Sequence, residues 1–292
     1  MANGVEIFHE EVGTGQPLVL LHGLTDSHRS WRSVLPALAK TRRVIVPDLP
    51  GCGLSARPDA SYTLEWQASV MAAWLDALNL DNVDVVAHSY GGGVAQFMLL
   101  LRPQRIRRLV LVASGGLGRE VSMELRLASF TKVVETFGQA VMPRVAAFAL
   151  RAVGGVVTDE VATWMRTTSS LPGSARAFAR TVADVIDWRG QRRHFLDRAK
   201  EIRVLPPVAL LWGTKDRVIP YAQAQSASKM LAGAELIAFE GCGHFPHHQK
   251  PFEFTRAVLS FLDRPYVKPV RLQETVAAPS PWADFFGKLD VA

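Results

Sequence analysis

Short runs that are apolar on both alternations recur along the chain, separated by longer runs whose apolar positions fall at helical spacing. The short runs are residues 17–21 (PLVLL), 44–47, 83–87, 109–113, 208–212 and 236–239. A strand that is apolar on both sides is buried on both sides, the mark of a parallel sheet covered by helices on each face. The pattern therefore predicts an α/β protein with a mostly parallel central sheet. Leu64, Met71, Trp74, Leu75 and Leu78 recur at helical spacing, and Thr63 is placed to cap the start of that helix. A second helix is expected over 91–101, with Val94, Phe97, Met98 and Leu101 on one face.

The alternation breaks after Ser114, and the next strand candidate begins only at Val208. A structureless connection of that length does not suit a compact domain. Residues 125–137 and 175–186 carry helical periodicity, and the pairs Gly115-Gly116 and Gly154-Gly155 interrupt it. The stretch reads as a helical insert over 117–200 lying over one end of the sheet, dividing a core domain made of 1–116 and 201–263. Residues 264–292 form a C-terminal tail, with a Pro/Ala/Ser-rich segment and then Trp282, Phe285 and Phe286, that is either disordered or docked on the body. In the insert, Phe130, Phe137, Met142, Phe148, Trp164, Phe178 and Trp188 are expected to be mostly core, with some of them facing a cleft.

Composition narrows the function classes. Of 292 residues 48% are hydrophobic and 21% charged, with a formal charge of +6. Residues 117–200 hold thirteen Lys or Arg against eight Asp or Glu, so most of the excess lies there. These bases are spread at helical intervals instead of being clustered among aromatics, which argues against a nucleic-acid partner. A solvated helical face explains them, with a mild preference for anionic substrates as the functional alternative. No apolar run approaches the roughly 18 residues of a membrane span, and MANGVEIFHEE lacks the pattern of a signal peptide. A cytoplasmic protein without a membrane partner is expected, and a homo-oligomer is left open. Cys52 and Cys242 are too few for a disulfide scaffold and lack zinc-site spacing, so free thiols are expected. Gly91-Gly92-Gly93 lacks the lysine of a phosphate-binding loop.

The most informative segment is 83–93, VDVVAHSYGGG, in which a strand ends, Ser89 follows, and glycines open a helix. A sharp strand-to-helix turn of this kind exposes a serine at the end of the sheet, with small residues needed two before and two after it. Here they are Ala87 and Gly91, where the usual pattern has glycine at both. The Tyr90 N–H at the helix start is a natural donor to a developing oxyanion, and the Leu24 N–H, on the loop after 17–21, is the second. A serine hydroxyl is a weak nucleophile and needs a base. The glycine-containing loop EGCGHFP at 240–246 can bring His244 over the sheet, and the loop after VALLWG carries Asp216. Bland readings compete. Asp216 is also a turn type, and Asp48 is a rival acid read as shaping its own loop. Cys242 is read as a buried thiol. His22 and His88 are assigned to their motifs through backbone more than ring, and His247 and His248 to solvent or to orienting their loop.

The segments HGLT at 22–25, DLPGCGLS at 48–55, AHSYGG at 87–92, GTKDRVIP at 213–220 and GCGHFPHHQKP at 241–251 together resemble the α/β-hydrolase family over about residues 5–263. The order Ser89, Asp216, His244 is the order that family uses for nucleophile, acid and base. The resemblance implies that fold, a cap, this catalytic triad, a small-molecule substrate, and no metal or organic cofactor. Relatives that open epoxides or cleave carbon–halogen bonds carry aspartate at the position of Ser89. The reading is a serine hydrolase of carboxylic esters or related acyl bonds in small, largely apolar substrates. Alternatives on the same machinery are carbon–carbon hydrolysis of aromatic ring-cleavage products, peracid formation and acyl transfer. A small-molecule receptor on the same fold is the non-enzyme alternative.

Overall fold

The computed structural model describes residues 1–129, 131–132, 134–135, 138–140, 143, 158–231 and 233–266. Its first half runs through β1 (His9–Val12), β2 (Gln16–Leu21), α1 (Leu35–Leu38), β3 (Arg42–Pro47), α2 (Leu64–Ala77), β4 (Val83–His88), α3 (Tyr90–Leu101) and β5 (Ile106–Val112). Between β5 and the next sheet strand come α4 (Met123–Leu127), α5 (Asp159–Ser169), α6 (Ser174–Val185), the hairpin β6 (Ile186–Asp187) and β7 (Gly190–Gln191), and α7 (Phe195–Arg198). The chain then returns through β8 (Val208–Gly213), α8 (Tyr221–Met230), β9 (Glu235–Phe239), α9 (Pro246–Gln249) and α10 (Pro251–Leu262).

Seven strands form one sheet in the order β1-β3-β2-β4-β5-β8-β9. Within this sheet, among the described residues, β1 alone is antiparallel to its neighbour and the other pairings are parallel. All six strands expected from the apolar runs are present. The seventh, β1, is HEEV, polar in three of its four residues and largely exposed, so no apolar run marks it. It is an edge strand, held by backbone pairing to β3 instead of by burial.

Alternate residues of each central strand enter opposite faces. Leu18, Leu20, Val86, Val110 and Leu211 join α1 and α10 on one side. Val19, Leu21, Val85, Leu109 and Leu210 join α2 and α3 on the other. Burial of each such side chain contributes roughly 1.5–3 kcal/mol, so both faces stabilise the sheet that carries the site. Thr63 caps α2 as expected, its Oγ1 accepting from Trp66 N at 3.2 Å.

The segment between β5 and β8 packs on the second face. Val182, Ile186 and Phe195 belong to the same cluster as Leu64, Val94 and Phe97. Asp184 Oδ2 accepts the Leu64 N–H at 2.9 Å, so a carboxylate of α6 satisfies an amide at the start of α2. The basic residues of this segment meet acids of the body: Arg180 Nη1 lies 2.6 Å from Asp59 Oδ1. In the opposite sense, Glu160 pairs with Arg29 and Arg32 at 3.3 and 2.5 Å. These pairs are exposed and each is worth little on its own. Trp188 departs from the expected core, since 56% of its surface is exposed: it sits in the tight turn between β6 and β7, where the side chain points outward. Trp164 and Phe178 are half-buried. Phe130, Phe137, Met142, Phe148, the pair Gly154-Gly155 and the tail aromatics Trp282, Phe285 and Phe286 lie outside the described residues. Among the described residues no helix is long and apolar enough to cross a membrane.

Candidate active site

β4 ends at His88 and α3 begins at Tyr90, leaving Ser89 alone to make the turn at φ +52°, ψ −116°. A residue with a Cβ held at positive φ is strained by about 1–3 kcal/mol and persists only when its surroundings enforce it. Here the Ser89 N–H donates to Val112 O at 2.9 Å, and Ser89 O accepts from Gly92 N and Gly115 N at 3.0 Å. Gly91 is required by close approach: a Cβ there would press on the carbonyl oxygens of His22 and Leu21, 2.8 Å from the latter. Ala87, the departure from glycine, is fully buried within β4.

The three loops expected to converge do so. Ser89 Oγ lies 3.0 Å from His244 Nε2, and His244 Nδ1 lies 2.8 Å from Asp216 Oδ2. A carboxylate only accepts, so Nδ1 carries the proton and Nε2 is left to accept from the Ser89 hydroxyl. Asp216 is aimed by its other oxygen, which accepts from Val218 N at 2.8 Å and Ile219 N at 2.9 Å. His244 is placed by the turn after β9: Lys215 N donates to Cys242 O at 2.8 Å, and Gly243 N donates to Gln249 Oε1 at 2.7 Å. His244 and Asp216 are 4% and 7% exposed, so this chain of hydrogen bonds is largely shielded from water.

Four other histidines differ from, or sharpen, the expectation. The His88 ring is not incidental: its Nε2–H donates to the His244 carbonyl at 2.9 Å, tying the strand before Ser89 to the loop that carries His244. The His22 ring is also employed, with Nδ1–H donating to Gly23 O at 2.8 Å and Nε2 accepting from Leu49 N at 2.9 Å. His247 does not face solvent. It is fully buried and bonded to Ser30 Oγ at 3.1 Å, while His248 Nε2–H donates to Ser30 O at 2.9 Å. A polar-looking run such as PHHQ gives no sign of this, because an imidazole reads alike whether its nitrogens meet water or a neighbouring loop. Asp48 shapes its own loop, accepting from His28 N at 2.6 Å and Leu54 N at 2.8 Å. Both cysteines are free, with Cys242 buried.

Burial, reinforced by the charge of neighbouring histidines, holds His88 and His247 well below the usual imidazole range. The folded protein keeps both neutral, whereas the unfolded chain protonates near about pH 6.5. Below that pH the unfolded state binds more protons, so stability falls on acidification by up to about 1.4 kcal/mol per pH unit for each ring. Above it these two residues contribute no slope. Denaturant unfolding between about pH 6.5 and 4.5 should show this loss, shallower in His247→Gln; a level profile contradicts it.

Above Ser89 opens a cavity of about 340 Å³, walled mainly by apolar groups including Leu64, Val121, Leu125, Phe178 and Ile186. Leu24 and Tyr90 both line it. The loop of Leu24 runs close beside the serine: a Cβ built on Gly23 would stand 3.3 Å from Ser89 Cβ. Among the described lining residues Arg193 is the one Lys or Arg, and it is already engaged, with Nε donating to Asp184 Oδ1 at 3.0 Å and Nη1 3.5 Å from Glu65 Oε1.

Residues 16–251 match the family model described as the alpha/beta hydrolase fold. An uncharacterised protein of Mycobacterium tuberculosis is 37% identical over 262 residues, covering 86% of this chain and 76% of the relative. A 2-hydroxy-6-oxo-2,4-heptadienoate hydrolase of Pseudomonas putida is 30% identical over 279 residues, covering 90% and 94%. Among solved structures, a serine hydrolase involved in carbazole degradation, the CarC enzyme, superposes with a TM-score of 0.75 at 26% identity, over 89% of this chain and 96% of that one.

Proposed function

The chain belongs to the α/β-hydrolase fold family, and on that premise we propose that it hydrolyses esters of small, largely apolar acids or alcohols through an acyl-enzyme. The observation that carries this reading is the continuous hydrogen-bond path from Asp216 through His244 to Ser89 at the floor of an apolar cavity. Ser89 attacks the carbonyl carbon as His244 takes its proton, and the Leu24 and Tyr90 N–H groups hold the oxyanion. His244 then protonates the leaving alcohol, and in the second half activates the water that releases the acid. Asp216 keeps the His244 tautomer fixed throughout. The segment 117–200 acts as a cap whose α6 and hairpin supply one wall of the cavity.

A second reading follows from the Pseudomonas relative, whose named substrate is a carbon-chain oxo acid. That substrate carries a carboxylate, which calls for a free cation. Arg193 faces Asp184 and Glu65, and Asp26 and Glu124 also line the cavity, so its charge favours a neutral ester. The test is a direct comparison of kcat/KM for a short nitrophenyl ester and for 2-hydroxy-6-oxo-2,4-heptadienoate. The ester is expected to be preferred by tenfold or more, on the order of a single unmatched charge. Preference for the oxo acid overturns the ester assignment.

A further inference from the structure

The cavity over Ser89 has a small annex whose lining carries polar atoms. Tyr90 and Phe178 line both spaces, and beyond them a recess of about 30 Å³ lies between the loop at Pro50 to Gly53 and α6. That is room for one hydroxyl-sized group. Two polar atoms on its lining residues are buried without a partner: Tyr90 Oη, on a residue 8% exposed, and Gln67 Oε1, on a residue 1% exposed. The Gln67 amide is not free to turn, because Nε2–H donates to Pro50 O at 3.0 Å, leaving Oε1 as the acceptor. The phenol of Tyr90 offers a donor whose polar neighbour on the recess is the Thr181 side chain, and burial keeps it protonated by pushing it well above the usual range, against the opposing pull of Thr181.

The chemistry of the missing complement follows from this pair. An acceptor and a donor on residues lining one small recess match a group that donates and accepts in turn, which is a hydroxyl. A carboxylate has no proton for Gln67, and the only cation among the described lining residues is already committed. Arg57 donates through Nε to Ser174 Oγ, through Nη1 to Ser55 O and through Nη2 to Gly53 O, each at 2.8 Å. The Cys52 thiol is pushed up to about 12 by burial and adds no charge. A carbonyl would meet Tyr90 but leave Gln67 orphaned.

We propose that the recess between Tyr90 and Gln67 is a subsite for a hydroxyl carried at the far end of an otherwise apolar substrate, donating to Gln67 Oε1 and accepting from Tyr90 Oη. The subsite rests on the adjoining cavity being the substrate site, and it is indifferent to which bond is cleaved there. It also explains why the buried Gln67 Oε1 persists without a hydrogen-bond partner, since such a group weakens the free protein.

The experiment is calorimetric binding of neutral alkanamides of about four to eight carbons, each with and without a terminal hydroxyl, to the full chain. At one chain length or more the hydroxylated amide should bind about tenfold tighter, as two buried neutral hydrogen bonds provide. Tyr90→Phe should bring that ratio close to one while holding or raising the thermal midpoint. The proposal is overturned if no chain length shows the preference, if the preference survives Tyr90→Phe, or if Tyr90→Phe lowers the midpoint, since the hydroxyl would then have a structural partner. Because binding is read without turnover, a hydroxyl preference in a protein inactive on esters would overturn the ester assignment and leave the subsite standing.

Discussion

Replacing His244 with alanine is expected to lower kcat for a neutral nitrophenyl ester by a factor on the order of a thousand or more. The serine hydroxyl is a poor nucleophile, and His244 Nε2, 3.0 Å from Ser89 Oγ, is the group placed to take its proton. Because the residues act as one unit, the double variant Ser89→Ala/His244→Ala should be little worse than His244→Ala. Asp216→Asn should be milder, since Ser89, His244 and the Leu24 and Tyr90 amides remain and only the His244 tautomer and orientation are disturbed. The loss should nevertheless exceed tenfold, on the order expected when a base loses its orienting carboxylate. Steady-state kinetics on the four proteins, with unfolding midpoints to show that each is folded, check this ordering. Additive losses in the double variant would mean that Ser89 and His244 serve different steps.

The second large effect is structural in origin. Gly91→Ala should both destabilise the protein and depress kcat, because the added methyl meets two backbone carbonyls, those of His22 and Leu21, that have no flexible end to move aside. Overpacking of this kind destabilises by roughly 1–3 kcal/mol. The same displacement shifts the loop of Leu24 away from Ser89, and a misplacement of about 1 Å in such a site lowers the rate on the order of a hundredfold. Gly93→Ala is the control, since a Cβ there meets only Leu64 side-chain atoms at 3.4 and 3.7 Å. Equal effects from the two substitutions would remove close approach at Gly91 as the cause.

The parts of this architecture that were legible in the sequence are those with a physical signature of their own. Five of the six doubly apolar strands are largely buried on both faces, β9 at the sheet edge being only half-buried, and the serine turn needs its small neighbours at fixed offsets. The spacing of Ser89, Asp216 and His244 became readable once strands were recognised before each of them. What stayed hidden depends on partners distant in sequence. β1 is polar because its stability comes from pairing with β3, which no local pattern reports. The rings of His88 and His247 are buried by loops that meet only in the fold, and the orphaned Tyr90 hydroxyl is visible only once Gln67 and α6 surround it. Trp188 shows the converse: a large aromatic reads as core, and the two-residue turn that carries it turns it outward.

The central claim is that Ser89 is the nucleophile, and its most direct test is ester turnover by purified Ser89→Ala freed of contaminating esterase. Ser89→Ala leaves His244, Asp216 and the Leu24 and Tyr90 amides in place and changes one oxygen at the elbow. The account predicts an unfolding midpoint close to that of the unaltered protein and activity reduced on the order of a thousandfold or more; substantial turnover by that folded variant would contradict it.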